Sequence, residues 1–213
     1  MKRVSVMKRV CMTMMLLSVH ANAWTTIAEF ESAVAEALTN KTGLVEVAFT
    51  NQLMYYSQNA GDLNNRLSAD LIRGVCEMEQ FEQTMDVIHL TNCLTVATNV
   101  VHRAEPDSWM RWQARLLEFS TYASLGNMTN AYLVSSNAWH EVQYSNFVDS
   151  TNVVSQALKR HFKVDGTTIR ESICYAKAMS AALSGRRSEA QVLSLQLPVK
   201  YRQNVEEILS GND

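Results

Sequence analysis

Four histidines downstream of residue 23 are the first residues to consider for chemistry: His89, His102, His140 and His161. No two of them are three or four residues apart, so the chain lacks the helical His-x-x-x-His pair of zinc enzymes. His89 and Cys93 are four residues apart and would share a helix face, but two ligands do not make a zinc site. We therefore predict neither a metal nor another cofactor.

Acid–base pairs are a second possibility, offered by His140 beside Glu141 and by His161 near Asp165. His161 follows two basic residues at a predicted helix end, where a cation interacts favourably with the helix dipole, and we favour this capping role. The chain contains no Gly-x-Ser-x-Gly elbow, no Gly-rich phosphate loop and no paired-carboxylate motif. These observations predict a protein that is not an enzyme.

The residues most suggestive of binding are Trp109 and Trp112, with Arg111 between them and Arg115 after them. A spacing of three places both indoles near one helix face, and the combination of indole and guanidinium suits a peptide or a sugar. We predict Trp109, Trp112 and Arg115 as partner-binding residues. In the alternative interpretation the tryptophans fill a helical core and the arginines extend from it to solvent.

The first 23 residues have the three parts of a secretory signal peptide. The start is basic, with Lys2, Arg3, Lys8 and Arg9 and no acidic residue. Val10–Val19 is an apolar stretch, and Ala21 and Ala23 form a small-x-small cleavage site. The apolar stretch is too short to span a bilayer, and no later stretch approaches spanning length. We expect cleavage before Trp24, no membrane span afterwards, and a secreted or periplasmic protein.

Composition describes the chain after cleavage as one globular domain, residues 24–213. This part has 15 Lys and Arg against 21 Asp and Glu, a net charge of −6, which argues against a nucleic-acid partner. Over all 213 residues, a hydrophobic fraction of 47% with 19% charged residues excludes a disordered chain. Seven glycines and two prolines are too few turn formers for a β-sandwich or barrel.

Apolar residues recur at spacings of three and four through most of the chain, as in amphipathic helices. We predict an all-α fold of nine to ten helices. The predicted ranges are 27–38, 44–57, 65–79, 81–101, 107–125, 130–142, 149–162, 169–183, 188–195 and 199–209. Because the breaks are short, successive helices should form antiparallel hairpins.

Three cysteines remain after cleavage, Cys76, Cys93 and Cys174, so at most one internal disulfide can form. With a hairpin turn near Gln80, Cys76 and Cys93 would be offset by about 13 Å along the helix axes, beyond disulfide reach. A pair with Cys174 stays open. We favour three buried thiols that act as small apolar groups.

The segment Tyr122–Ala131, followed by Ala138, resembles the inter-helix turn of a tetratricopeptide repeat. It has an aromatic residue, then Leu-Gly at the turn, and then alanines where two helices cross closely. A weaker copy runs from Ala181 through Gly185 to Ala190, and a third spans residues 71–84. The spacing of the copies departs from the family's regular period. In the copy at residues 71–84, Glu79 stands where the repeat would have glycine. The fold is therefore expected to be either a tetratricopeptide-like stack or an irregular helical bundle.

The resemblance implies a concave surface that binds a peptide or a protein. Together with the missing catalytic motifs and the signal peptide, it predicts an exported, non-enzymatic protein that binds a protein or peptide partner. The alternative is a helical bundle that carries an apolar small molecule or lipid between its helices.

The predicted cleavage gives a direct test. N-terminal sequencing of the protein recovered from its native compartment should begin at Trp24. An acidic replacement at the small-residue position, Ala23→Asp, should leave the signal attached. A native N-terminus at Met1 would contradict the predicted export signal.

Overall fold

The computed structural model describes residues 24–39 and 43–211, and within them it is all-helical, with ten α-helices and no strand, which confirms the predicted fold class. The bounds are α1 Ile27–Thr39, α2 Val47–Asn59, α3 Leu63–Thr84, α4 Val87–Arg103, α5 Trp109–Ser124, α6 Met128–Val142, α7 Val153–His161, α8 Ile169–Leu183, α9 Arg187–Ser194 and α10 Val199–Gly211. A 3₁₀-helix, Gly43–Val45, precedes α2. The predicted cleavage residues Ala21 and Ala23 lie outside the described residues.

Short polar side chains set most of the helix starts. The side chains of six residues accept hydrogen bonds from backbone amides of the first helical turn: Asp62, Asp86, Ser108, Asn127, Asn152 and Thr168. Such capping supplies partners for amides that have none inside the helix. At the other end, Gly126 and Gly185 adopt φ of 70° and 74° after α5 and α8, a conformation that glycine adopts without strain. The two predicted Leu-Gly and Ser-Gly turns therefore occur where they were expected.

Three helical hairpins form the body of the fold: α3–α4, α5–α6 and α8–α9. Each hairpin contacts the next, and the first helices of the three hairpins also touch, α3 against α5 and α5 against α8. The small residues Ala131 and Ala138 of α6 and Ala190 of α9 are fully or almost fully buried, as close helix approach requires. Helix α10 packs on α8 and α9 at the end of this series.

Helix α7 departs from the order of the chain. It lies between α6 and α8 in sequence, yet α6 packs directly on α8 while α7 packs back on α1 and α3. It was predicted to begin near residue 149, but it begins at Val153 because Asn152 accepts a hydrogen bond from the Ser155 amide. The residues just before α7 form no helix.

The predicted break near Gln80 is wrong. Helix α3 continues to Thr84 because nothing at Glu79 or Gln80 interrupts it, and it ends where Met85 takes a left-handed conformation and Asp86 caps α4. The turn is thus shifted by five residues. Cys76 precedes Met85 by nine residues and Cys93 follows it by eight, so the two cysteines are level along the hairpin and not about 13 Å apart.

Helix α3 and helix α5 approach closely at Gly74. A Cβ at Gly74 would overlap Cδ2 of Leu117 and would lie 3.7 Å from Cys93 Sγ of α4. Leu117 and Cys93 are fully buried, and Met78 and Leu90 belong to the same apolar cluster. Leu117 therefore packs in the space that a side chain at position 74 would occupy.

We expect Gly74→Ala to lower the free energy of unfolding by about 1–3 kcal/mol, the usual cost of overpacking a core. The methyl group should overlap Leu117, and this cost should exceed the gain in helix propensity of about 0.5–1 kcal/mol. Urea denaturation followed by circular dichroism measures the change.

The matched control is Gly61→Ala, because nothing lies within 4 Å of a Cβ at that position. It should leave the unfolding free energy nearly unchanged. In the double variant Gly74→Ala/Leu117→Ala the second substitution should cost less than in the wild-type background, because the new methyl group occupies part of the cavity. Equal stability of Gly74→Ala and wild type would contradict the close approach.

Candidate functional site

The two predicted partner-binding tryptophans lie together in one apolar cluster, but inside the fold. Trp112 is 2% exposed, and its ring centroid is 6.1 Å from that of Phe147. Trp109 is half-buried and packs against two apolar clusters. Trp112 therefore presents almost no surface to a partner, and the arrangement corresponds to the alternative interpretation in which the tryptophans fill the core.

Of the arginines beside them, Arg111 links α5 to α4, whereas Arg115 pairs within α5. Arg115, the third predicted binding residue, donates a 2.9 Å hydrogen bond to Glu118, which is 5% exposed and also accepts one from Thr98 of α4. Arg111 donates to the backbone oxygen of Val101 at 3.0 Å. Sequence alone cannot separate such interior arginines from binding ones, because residue type and spacing are the same in both cases.

A groove of about 210 Å³ lies where the first helices of the three hairpins meet the end of α7. Its apolar lining consists of Met78 from α3, Leu116 and Phe119 from α5, Phe162 and Val164 after α7, and Tyr175 and Ala176 from α8. Its polar lining includes Glu82, Ser120, Ser124, His161, Lys163 and Ser172. An apolar interior with a rim of hydroxyls and two opposite charges suits the binding of one apolar side chain flanked by polar groups.

Phe162 is the central residue of this site, because it packs against all four apolar clusters found among the described residues. The turn that follows it positions the groove's end. Lys163 adopts a φ of 56°, and the Val164 amide donates to the Lys159 oxygen at 2.9 Å, which closes α7 with a Schellman-type cap. No glycine occupies the left-handed position of this turn, yet the predicted helix end at residue 162 is within one residue of the observed end at His161.

His161 lies at the groove wall and contacts α3, not Asp165. Its Nδ1 is 3.2 Å from Glu79 Oε1, and its side chain is 7% exposed. The hydrogen bond from His161 lowers the pKa of Glu79 below its usual value of 4.5, against the opposing effect of burial. The pair ties the end of α7 to α3. His161 is also the last residue of α7, the position on which its predicted capping role rests.

His89 and the cysteines take structural positions. His89 Nδ1 is 2.7 Å from Glu77 Oε2, while Cys93 Sγ lies 3.2 Å from Thr121 Oγ1. In residues 24–39 and 43–211, no group of three His, Cys, Asp or Glu side chains is arranged to hold a metal ion. Cys76, Cys93 and Cys174 are buried free thiols, and burial raises the pKa of Cys93 and of Cys174 to about 12. Burial also raises the pKa of Cys76.

Residue type does not mark the groove, because Met78, Leu116, Phe119 and Phe162 occupy apolar positions of the helical pattern like ordinary core residues. Leu116 is a core residue of α5, at 5% exposure, whereas Phe119 is only half-buried. The available signal was the set of small side chains between the apolar ones, Ser120, Ser172 and Ala176, which leave room between α5 and α8.

The Glu79–His161 pair predicts a pH-dependent contribution to stability. Because the Glu79 pKa is lowered in the folded protein, the ionised carboxylate stabilises the fold above about pH 4.5 and loses this effect as the pH falls through the lowered pKa. Glu79→Gln should therefore lower the melting temperature at pH 7, and its difference from wild type should shrink at pH 3.

The exposed Glu82, one turn further along α3, supplies the control. Glu82→Gln should melt close to wild type at both pH values. A Glu79→Gln deficit that is the same at pH 7 and pH 3 would show that the carboxylate charge does not hold α7 to α3.

No helix in the described part of the chain combines the length and hydropathy required to cross a bilayer. Comparison of the chain with models of known protein families, with characterised proteins and with solved structures finds no match. The likeness to tetratricopeptide repeats thus rests on the residues quoted above and stays a prediction.

Proposed function

We propose that this protein is an exported, non-enzymatic binding protein that holds a segment of a partner protein in the groove between α3, α5 and α8. The supporting observation is the position of α7. The chain packs its own amphipathic helix α7 on α3, one of the three helices that line the groove.

Helix α7 is a model for how such a surface accepts a ligand helix. Val154, Ala157 and Leu158 are buried against α1 and α3. Ser155, also buried, accepts a 3.2 Å hydrogen bond at its hydroxyl oxygen from the side-chain amide of Gln113 in α5. The contact thus combines apolar anchors with one buried polar group, as helix-in-groove recognition does.

Beyond Phe162 the surface is no longer covered by α7. There the groove exposes part of Phe119 and Tyr175, with hydroxyls around them. Its volume of about 210 Å³ is below the roughly 300–1,000 Å³ typical of small-molecule pockets. The size favours a single apolar side chain of a partner segment over the alternative occupant, an apolar small molecule or lipid.

The net charge of −6 for residues 24–213 favours a basic partner segment, which the field of the protein would attract. The signal peptide predicts that the encounter occurs in the periplasm or outside the cell. The repeat-like turns at Gly126 and Gly185 support a stacked-hairpin binding protein.

The test is a selection of peptides from a random displayed library on the purified protein, followed by affinity measurement with variants. Ser120→Trp should fill the groove, because Ser120 is a half-buried residue of its lining. Selected peptides should share one aromatic or branched apolar position, and Ser120→Trp should weaken their binding by about tenfold or more, equivalent to about 1.4 kcal/mol.

Ser32→Trp, at an exposed position on α1, adds the same side chain outside the groove and should leave binding unchanged. Melting curves establish that both variants fold. Peptides that bind Ser120→Trp as tightly as wild type, or a selection that enriches none, would contradict the proposal.

A further inference from the structure

A second pocket, of about 350 Å³, lies between α2, α3 and α4, and its charge differs from that of the groove. Arg66, Asp70 and Arg73 line it from α3 at spacings of four and three, which place them on one helix face. Arg103 closes it from the last turn of α4. Three guanidinium groups and one carboxylate thus line a single cavity.

The carboxylate neutralises only part of this charge. Asp70 accepts a 2.9 Å hydrogen bond from Nη1 of Arg73, and its other oxygen is 4.0 Å from Nη1 of Arg103. Arg66 forms no ion pair within 4 Å among the described residues, and its Nε is buried without a hydrogen-bond partner. The residues that line the pocket therefore carry two positive charges in excess.

The surroundings add hydrogen-bonding groups, and the carboxylate lies at the buried side of the pocket. Asp70 is 8% exposed, and burial raises its pKa in spite of the neighbouring arginines. The remaining lining is mostly neutral and polar, including Ser57 of α2 and Asn99 of α4. Arg73 already points at Ser57, with its Nη1 3.4 Å from the hydroxyl oxygen. Guanidinium groups held in this way present paired donors that match the oxygens of a phosphate or carboxylate.

We propose that this pocket binds a small divalent oxyanion, and specifically a phosphate monoester. A charge of −2 matches the excess of the three arginines over Asp70. Inorganic phosphate would fill only a fraction of the 350 Å³, which leaves space for a small organic group on the ester oxygen. The ester can come from a soluble compound or from a lipid headgroup, and the two share this chemistry.

Isothermal titration of the purified full-length protein with glycerol phosphate, inorganic phosphate, succinate and chloride at matched ionic strength tests the proposal. Glycerol phosphate should bind saturably and more tightly than the other three. Arg66→Gln and Arg103→Gln should each weaken it by about tenfold, the loss of one charge-assisted contact. The exposed Arg160 gives the control, since Arg160→Gln removes the same charge from α7 and should change affinity less than about twofold.

Asp70→Asn separates an anion site from a purely structural cluster. Removing the single negative charge should tighten glycerol phosphate binding several-fold, whereas a structural role alone predicts only loss of stability. Co-sedimentation with phosphatidic acid vesicles, displaced by glycerol phosphate, would assign the ester to a lipid headgroup; binding of the soluble ester alone would assign it to a free compound.

Three results would overturn the proposal: no saturable binding of glycerol phosphate at millimolar concentration, tighter binding of succinate than of either phosphate, or equal weakening by Arg160→Gln and Arg66→Gln. Thermal melts of each variant identify those that have lost the fold, and Arg103→Gln serves in place of Arg66→Gln if the latter is unfolded.

Discussion

The close contact of α3 and α5 at Gly74 is the constraint on which the rest of the structure depends. Helix α4 separates these two helices along the chain, yet Leu117 of α5 packs directly where α3 has no side chain. Because the two first helices are neighbours, Met78 of α3 and Leu116 of α5 line the same groove. A bulkier residue at position 74 would move α5 away from α3 and would change the groove as well as the core.

Helix α7 is the second determinant, since it covers part of α3 and so limits the surface that remains for a partner. Buried apolar residues hold it on α1 and α3, and the His161–Glu79 contact and Phe162 fix its end. Phe162 packs at the border of each of the four apolar clusters in the described part of the chain, so it connects the core to the groove. The binding surface proposed for a partner thus begins where the chain's own helix ends.

Much of this architecture follows from local sequence. Apolar spacing identified the ten helices, and small residues and Leu-Gly marked the turn at Gly126, because these features act within one or two helical turns. The end of α3 was missed because Met85 takes a left-handed conformation without glycine. The path of α7 was missed because it depends on contacts with α1 and α3, which are distant in sequence: Thr84, the last residue of α3, precedes Val153 by 69 residues.

The site was harder to predict than the fold. Trp109 and Trp112 have the residue types of a binding surface, but their direction is set by packing against α6 and α8, which one helix's sequence does not encode. The groove instead uses ordinary apolar residues whose neighbours are small. Exposure, and not residue type, distinguishes Phe119 from the core residues beside it.

The most direct test of the central claim is a methyl NMR spectrum of the methionines with and without a bound partner peptide. Met78 lines the groove, whereas Met54 and Met85 are exposed and lie outside its lining, at 47% and 70% exposure. A peptide held between α3, α5 and α8 should shift the resonance of the buried Met78 methyl, which lies beneath the groove, more than those of Met54 and Met85. Shifts confined to Met54 or Met85, with Met78 unchanged, would place the partner elsewhere and contradict the account.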